Sequence, residues 1–570
     1  MKQKITFLCI YSIFSLFQSQ AQVTNPLAST SDSNIWSVTK ITGNNAIERP
    51  YEMIYGPDHR LWITERRDDV VGINGGKRIV RIDTTGANKT TMINFGNKVH
   101  TTAGQDGVLG IVAHPDLYFN PATTTNNYVY VSYTYSINGT DSGRRLRIAR
   151  LIYNNNNGTL TEDTSLGANA AIIEGLPASN DHNSGKLAIG PDLKLYYTLG
   201  DQGNNQFSRN CLPIRARELP VNTTDFSRYE GKLLRLNLDG TIPADNPILN
   251  GVRTHVWNYG HRNMQGLAIS SFGTVYSTEH GDRVDDEFNL MVAAKDYGWP
   301  NVAGLRDDKG YEFTNNSLTT TCGGTLTVAQ ATQTETQSFP VEPVDFVEPL
   351  STMGTGSATI PTGSNSTWPT IAPAGLALYE NTEKKIKDWG DFVLIPGLKF
   401  NTIQLGRLSM DGLFIIEPEN DILPIEPEVA LFPLHTANSR FRQIVVSPNG
   451  VSFYYVTDNN SAADPGSITK LNYIGPLEPT LSNEDFALSQ DTFKLYPNPA
   501  KNKFSLRFDS NAFTKASLQI VDISGRIVKS FDQVQTNQAI DISSLRNGLY
   551  LVNITDQNQR KAVKKLVVVN

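Results

Sequence analysis

Strong charge is the first thing this chain lacks. Its 570 residues carry a net charge of −6 with no clustered positive stretch, so there is no electrostatic footprint for nucleic acid. Long apolar runs are also scarce, and beyond the N-terminus none approaches the ~18 residues that a transmembrane helix needs. Helical periodicity is nearly absent, which points to an all-β chain. Gly72 to Lys77 (GINGGK) lacks the phosphate-loop spacing and the hydroxyl after the lysine, and no glycine-rich fingerprint joins a strand to a helix. Nicotinamide chemistry on a doubly wound domain is thereby disfavoured. Paired histidines at metalloprotease spacing and a serine in a nucleophile elbow are missing as well. Cysteine is the last scarcity, with three in all. Cys9 lies in a segment where Lys2 and Lys4 precede an apolar run from Ile5 to Phe17 and Ser19-Gln20-Ala21 resembles a cleavage site, so residues 1–21 read as a secretory signal peptide. Cys211 and Cys322 can pair in an oxidising compartment or stay apart, and their spacing leaves both open.

What is present is turn chemistry. With 39% apolar residues, 44 glycines and 29 prolines the composition is globular and argues against disorder. One design repeats: a turn rich in Gly, Pro and Asp or Asn, then a short apolar and aromatic strand. It occurs at Gly56-Pro57-Asp58, Gly190-Pro191-Asp192 and Ser447-Pro448-Asn449, and more loosely at His114-Pro115-Asp116, Ser271-Phe272-Gly273 and Trp389-Gly390. About six such units suggest a β-propeller over residues 22–474, since each blade needs its neighbours to bury both faces. A pair of β-sandwiches with frequent turns is the competing reading. Residues 315–367, polar and without periodicity, read as an insertion, and 475–492 have the composition of a linker. A second unit, 493–570, holds short alternating strands at 503–508, 517–523, 526–530, 549–554 and 562–569, the mark of a small sandwich with no catalytic-looking cluster.

Three groups of residues carry chemistry. His182 follows Asp181, and a nearby carboxylate fixes an imidazole's tautomer and raises its basicity, as a general base requires. Neighbouring side chains on a strand point to opposite faces, so the pair cooperates only in a loop. Arg440 and Arg442 alternate on an extended segment, which puts two guanidinium groups on one face, suited to carboxylates, and Arg262 and Lys399 invite the same reading. The bland alternative for an isolated Arg-Phe-Arg is a solvated edge. Third, Gly281 follows a strand and Asp285, Asp286 and Glu287 come just after, an oxygen-rich loop of the sort that suits calcium or an acidic surface turn.

Seven strings in order, GQDGVLGIVAHPD (Gly104 to Asp116), DHNSGKLAIGPDLKLYYTLGDQGNNQ (Asp181 to Gln206), GKLLRLNLDGTIPADNP (Gly231 to Pro247), GHRNMQGLA (Gly260 to Ala268), YGWPNVAG (Tyr297 to Gly304), WPTIAP (Trp368 to Pro373) and RFRQIVVSPNG (Arg440 to Gly450), give the span from Trp36 to Tyr473 its resemblance to the soluble quinoprotein glucose/sorbosone dehydrogenases. These are six-bladed propellers that use pyrroloquinoline quinone and calcium. The resemblance implies that His182 takes the proton of a sugar's anomeric hydroxyl, with Asp181 in support, and that Arg262 faces the quinone carbonyl that receives the hydride. It implies Gln105, Asp201, Gln206 and Trp368 as the sugar site, and Asn263, Lys399, Arg440, Arg442 and Thr370 as cofactor contacts. Calcium at the cofactor falls to the carbonyls of Gly281 and Asp282, the latter where close members have proline. A structural calcium falls to Glu287 and Asp307 with the carbonyls of Tyr297, Ala303 and Leu305, and Glu335 as a further candidate. The activity implied is oxidation of an aldose at C1 to the lactone, with electrons leaving to an external acceptor.

Residues 493–570 resemble the type A sorting domain of the type IX secretion system through LYPNPAKNKFSL (Leu495 to Leu506), VDISGRIV (Val521 to Val528), GLYLVNI (Gly548 to Ile554) and the basic last strand with Lys564-Lys565. Export to the surface or the medium is the expectation. The alternatives are a propeller of this family that serves as a binding module and a calcium-dependent lactonase, which would leave the basic clamp unexplained.

Overall fold

The computed structural model describes residues 30–569 apart from 69–75, 340–344, 355–358, 417–430, 479–492, 509–514, 523–525, 557–560 and Asn45, Ala103, Asn381, Asp388, Met410, Asn460, Ala462 and Thr536. The expected signal peptide (1–21), most of the expected linker (475–492) and most of Gly72 to Lys77 lie outside these residues.

Local turn chemistry sets the strand pattern. The N–H groups of Gly56, Gly190, Ser270 and Ser447 bond back to the carbonyls of Arg60, Lys194, Thr274 and Ser452, so each turn signal closes a tight reversal. Each reversal joins an inner strand to a second one: Pro50–Tyr55 to Leu61–Glu65, Ser184–Ile189 to Lys194–Leu199, Met264–Ile269 to Val275–Glu279, and Phe441–Val446 to Ser452–Thr457. Val108–Ala113 and Tyr128–Ser136 pair in the same way, but here the His114 signal opens a helix, Pro115–Phe119, with the His114 side chain accepting the Asp116 N–H. Ala377–Tyr379 and Phe392–Pro396 complete the set.

Six antiparallel sheets of four or five strands are built on these pairs. Their inner strands touch in chain order and the last returns to the first, so the sheets close into a ring. The first and last strands of the ring meet in the closing sheet, where Trp36–Lys40 pairs with Ile468–Tyr473. This sheet packs Trp36, Trp389, Phe392, Tyr379 and Phe453 against its neighbour. Each such buried side chain contributes about 1.5–3 kcal/mol.

A repeated hydroxyl bolts adjacent sheets together. Thr64 accepts the Glu52 N–H of its own sheet and donates to the Leu109 carbonyl of the next at 2.7 Å. Ser132 does the same between Gly110 and Gly185 (2.7 Å), and Thr198 between Lys186 and Met264 (3.3 Å). Each hydroxyl satisfies two buried backbone groups that a register shift in the inner strand has released from the ladder.

Residues 315–367 are not a plain insertion. They contain short helices, Val328–Ala331 and Glu335–Ser338, each opened by a Thr–Gln capping box, and their later part supplies Ser351–Met353, the fourth strand of a ring sheet. Cys211 and Cys322 are disulfide-bonded, which ties this segment to the loop that begins at Gln206. The C-terminal strands form two sheets of three and four strands over a core of their own, centred on Phe493, Phe504, Leu518, Ile520, Val552 and Leu566. Two of these strands, Phe493–Tyr496 and Ala539–Asp541, were not anticipated.

Candidate active site

Chemistry collects at one rim of the ring, where inner strands begin and second strands end. Five of the six inner strands carry a register shift within their first residues, at Pro50/Met53, Val108/Ile111, Ser184/Leu187, Met264/Gly266 and Phe441/Gln443. A bulge bends the strand and re-aims the side chain before it. This is how Gln105, His182, Arg262 and Arg440, each just ahead of a strand, come to one place. A cavity of about 380 Å³ opens there, walled by Gln105, Asp181, Gln206, His280, Arg440, Arg442 and Asp458 among others.

His182 sits in a tied loop. Asn183 exchanges hydrogen bonds with both backbone groups of Ser179, and the Ser179 hydroxyl reaches the Asp181 and Gln202 carbonyls. His182 and Ser184 take φ of 44° and 53°, a conformation uncommon for non-glycine residues that the surrounding bonds hold. The ring is buried, with Nδ1 at 2.7 Å from Asp201 Oδ1 and Nε2 at 3.2 Å from the Gln206 amide. The carboxylate that orients the imidazole is therefore Asp201 and not the adjacent Asp181. Asp181 stands 3.9 Å from Nε2 and accepts the amides of Gln105 (2.6 Å) and Gln206 (3.2 Å). Asp201, expected at the sugar, is 1% exposed, and its oxygens are taken by His182, the Gly203 N–H and the Trp299 indole.

Arg262 stands behind Gln206, whose carbonyl takes its Nη2 at 3.3 Å. Its guanidinium lies over the Trp299 ring at 5.2 Å and 3.6 Å from Asp282, while its backbone N–H bonds Glu279. Asn263 reaches Gln105 at 3.4 Å. Across the cavity Asp458 draws in Arg442 (3.0 Å), Arg66 (3.4 Å) and Arg49 (4.0 Å), and its carbonyl takes Arg440. Burial pushes the Asp458 carboxyl up, but Arg442, Arg66 and Arg440 outweigh it and hold it below the usual range. Burial, aided by neighbouring arginines, lowers Arg66 to about 10. One carboxylate facing so many arginines leaves the wall with spare positive charge. The Nε atoms of Arg66, Arg262 and Arg442 are buried without a hydrogen-bond partner. Lys399, Thr370 and Trp368 form a separate cluster that does not wall the cavity, because the Lys399 ammonium is spent on the Trp368 carbonyl (3.0 Å) and the Thr370 hydroxyl (2.8 Å).

The Gly281 loop is held by Asp286, whose oxygens take the N–H groups of Gly281 (2.9 Å) and Ala372 (2.7 Å). The Asp282 side chain faces Arg262 and Arg283. Burial pushes Asp286 up to about 7, and Glu287, near Glu279, well above the usual range. Glu287 accepts the Gly304 N–H (2.8 Å) and the Asn289 amide, and Asp307 pairs with Lys309 at 2.9 Å. Leu305's carbonyl accepts the Asp307 N–H, and the Tyr297 N–H bonds Tyr259. Glu335 is fully buried and receives the N–H groups of Ala303, Asp307 and Asp308, pinning that loop. Among the described residues no three His, Cys, Asp or Glu side chains are grouped to hold a metal ion.

Arg66, Asp458, His280, Gln265 and Trp299 are the site residues that sequence reasoning missed. A signal existed for three of them. Arg66, His280 and Asp458 each follow the second strand of a repeat unit, the position that also bears Gly200 and Asp201.

Residues 47–330 match the Glucose / Sorbosone dehydrogenase family, and residues 494–569 match the Secretion system C-terminal sorting domain. Quinoprotein glucose dehydrogenase B of Acinetobacter calcoaceticus is 34% identical over 461 residues, 75% of this chain and 89% of that protein. A crystal structure of glucose dehydrogenase superposes with a TM-score of 0.52 at 23% identity, covering 76% of this chain and 99% of that one. The apo-form of the soluble aldose sugar dehydrogenase from Escherichia coli gives 0.51 at 20% identity, over 77% and 99%. These two structures establish a shared fold.

Proposed function

Because the chain belongs to the glucose / sorbosone dehydrogenase family, we propose that it is a secreted, quinone-dependent aldose dehydrogenase, with the ring of sheets as a six-bladed propeller over 22–474 and residues 493–570 as a type IX sorting sandwich. One observation carries the reading: Gln206 bridges His182 and Arg262 on one wall of a cavity whose opposite wall is the Arg66, Arg440 and Arg442 cluster.

Pyrroloquinoline quinone, a tricarboxylate, suits that cluster, since the partnerless buried Nε groups and the arginine excess over Asp458 call for an anion. Arg66, Arg440 and Arg442 would hold it, with Asn263 and Arg262 toward the sugar side. Lys399, Thr370 and Trp368 would join only if Lys399 turned from its present partners. When bound, the quinone supplies a two-electron acceptor for the C1 hydride of an aldose, which leaves as the lactone. His182 supplies the proton acceptor. With Nδ1–H donated to Asp201, Nε2 carries the free lone pair, and the anomeric hydroxyl would replace the Gln206 amide there. Arg262 places positive charge beside that exchange.

Calcium fits the Gly281–Asp282 loop on electrostatic grounds. Burial raises the carboxyls of Asp286 and Glu287, the latter aided by neighbouring Glu279, and a divalent ion on the loop carbonyls would offset that cost of desolvation. When bound it would supply Lewis acidity to the cofactor. A second calcium at Glu287 and Asp307 would have to displace Gly304 N–H and Lys309.

The test is reconstitution. Pyrroloquinoline quinone and calcium are added to the purified protein, and dye reduction is followed across a panel of aldoses with His182→Ala and Arg442→Ala alongside. Uptake of one cofactor with turnover that His182→Ala removes is expected. No uptake sinks the dehydrogenase reading, and uptake without activity on any sugar overturns the substrate class.

A further inference from the structure

Asp201 is held from two sides. Its Oδ1 faces His182 Nδ1 at 2.7 Å, and its Oδ2 accepts the Trp299 indole N–H at 2.8 Å. The face of the same indole carries Arg262, whose guanidinium carbon is 5.2 Å from the ring centroid. Arg262 is tied to Asp201 a second time through the backbone, its carbonyl accepting the Asp201 N–H at 2.8 Å. Trp299 is fixed in turn, because its backbone N–H bonds the Gly260 carbonyl and its ring packs 5.7 Å from Tyr311. Trp299 is only 8% exposed.

We propose that Trp299 is a positioning residue that couples the two halves of the site: its N–H sets the charge and direction of Asp201, and hence the basicity and aim of His182, while its ring face seats Arg262. This rests on the functional reading above for its chemistry but not for its geometry. An indole N–H on a buried carboxylate withdraws charge from it. Without that donor Asp201 holds the imidazolium more tightly, so His182 becomes more basic. The ring contact is an independent contribution, an amino–aromatic attraction of the cation with the indole face. His182 is also faced by Asp181 and lies in electrostatic range of His280, and Asp201 lies in electrostatic range of Arg209, Glu230, Glu279 and Tyr311. Of these only Tyr311 packs on Trp299, and a phenylalanine there keeps a ring against it.

Trp299→Phe keeps a ring under Arg262 and removes the N–H. In the cofactor-free protein, NMR titration of the His182 ring should show its midpoint raised by about 0.5 to 1 pH unit in this variant. In the unmodified protein the Trp299 indole N–H resonance should shift with the same midpoint as His182, a measurement that needs no variant to fold. In the reconstituted enzyme Trp299→Phe should move the acidic limb of kcat/KM upward by the same amount, whereas Trp299→Leu, which also loses the ring, should lower kcat/KM by roughly a further tenfold. An unchanged His182 midpoint in Trp299→Phe, or an indole resonance that ignores His182, overturns the proposal. If the midpoint shifts and no aldose is oxidised, the positioning role stands and the dehydrogenase reading falls.

Discussion

Two carboxylates lie near His182 and they are not equivalent. Asp181 is next to it in the chain, yet its oxygens serve the Gln105 and Gln206 amides, while Asp201, nineteen residues on, meets Nδ1. Asp201→Asn should therefore cut turnover by on the order of 10²- to 10⁴-fold, by offering the ring an amide in place of a carboxylate. Asp181→Asn keeps one acceptor oxygen and gives up the other, so it loosens the Gln105 and Gln206 amides without touching His182 Nδ1 and should act mainly on KM. Steady-state kinetics on the reconstituted enzyme separates the two, and equal losses in kcat would contradict this assignment. A different residue sets part of the acid–base stability. Glu380 accepts the Ser271 N–H at 2.7 Å, and burial, with Asp391 nearby, raises it from 4.5 to about 7. The folded protein thus keeps a proton that the unfolded chain releases near 4.5, so this contribution is full below 4.5 and is lost as pH rises through about 7. Glu380→Gln, which keeps the acceptor, should flatten the fall in melting temperature between about pH 5 and pH 8; an identical fall in the variant would rule Glu380 out as its source.

At the scale of elements, the bulge and the hydroxyl bolt are one device. A register shift at the start of an inner strand turns a side chain into the site and frees a backbone N–H, which a Thr or Ser of the second strand then collects while reaching across to the next sheet. Thr198→Val preserves shape and strands both the Lys186 N–H and the Met264 carbonyl. A loss of about 1–3 kcal/mol for each stranded group is expected. Thermal and denaturant unfolding would report it, and a wild-type melting temperature would refute the bolt. Met264 begins the strand that follows Arg262, so activity should fall more than stability alone explains.

For the whole molecule, closure and separation both matter. The ring is closed by strands from its two chain ends, whereas the C-terminal strands bury Phe493, Phe504 and Leu566 in a core of their own. A chain ended at residue 474 should keep cofactor uptake and aldose turnover, while the full chain should show an additional calorimetric transition. Loss of activity on truncation would mean that the C-terminal strands support the site. The Cys211–Cys322 bridge joins segments 111 residues apart and anchors the stretch just beyond Gln206. Cys211→Ser with Cys322→Ser should lower the melting temperature, as expected for removing a cross-link worth roughly 2–4 kcal/mol, and should raise KM more than it lowers kcat. Reduction without effect on either quantity would count against that role.

What the sequence determined by itself is whatever depends on neighbours in the chain. The tight turns at Gly56, Gly190 and Ser447, the all-β character and the two-unit division are encoded locally, through φ preferences, backbone donors and apolar alternation. The strings around His182, Arg262 and Arg440 likewise identified the family before any contact was visible. What only the tertiary structure decided is which groups meet across strands and sheets. Asp201 displaced Asp181 because the end of the second strand pairs with the start of the inner strand that follows His182, Lys399 turned to Thr370 because its loop packs there, and Trp299 reached Asp201 from 98 residues away. Strand register carries no local signature, and a shift of one residue reverses the face of every side chain that follows. That is why the turns could be read in order along the chain, and the site they build could not.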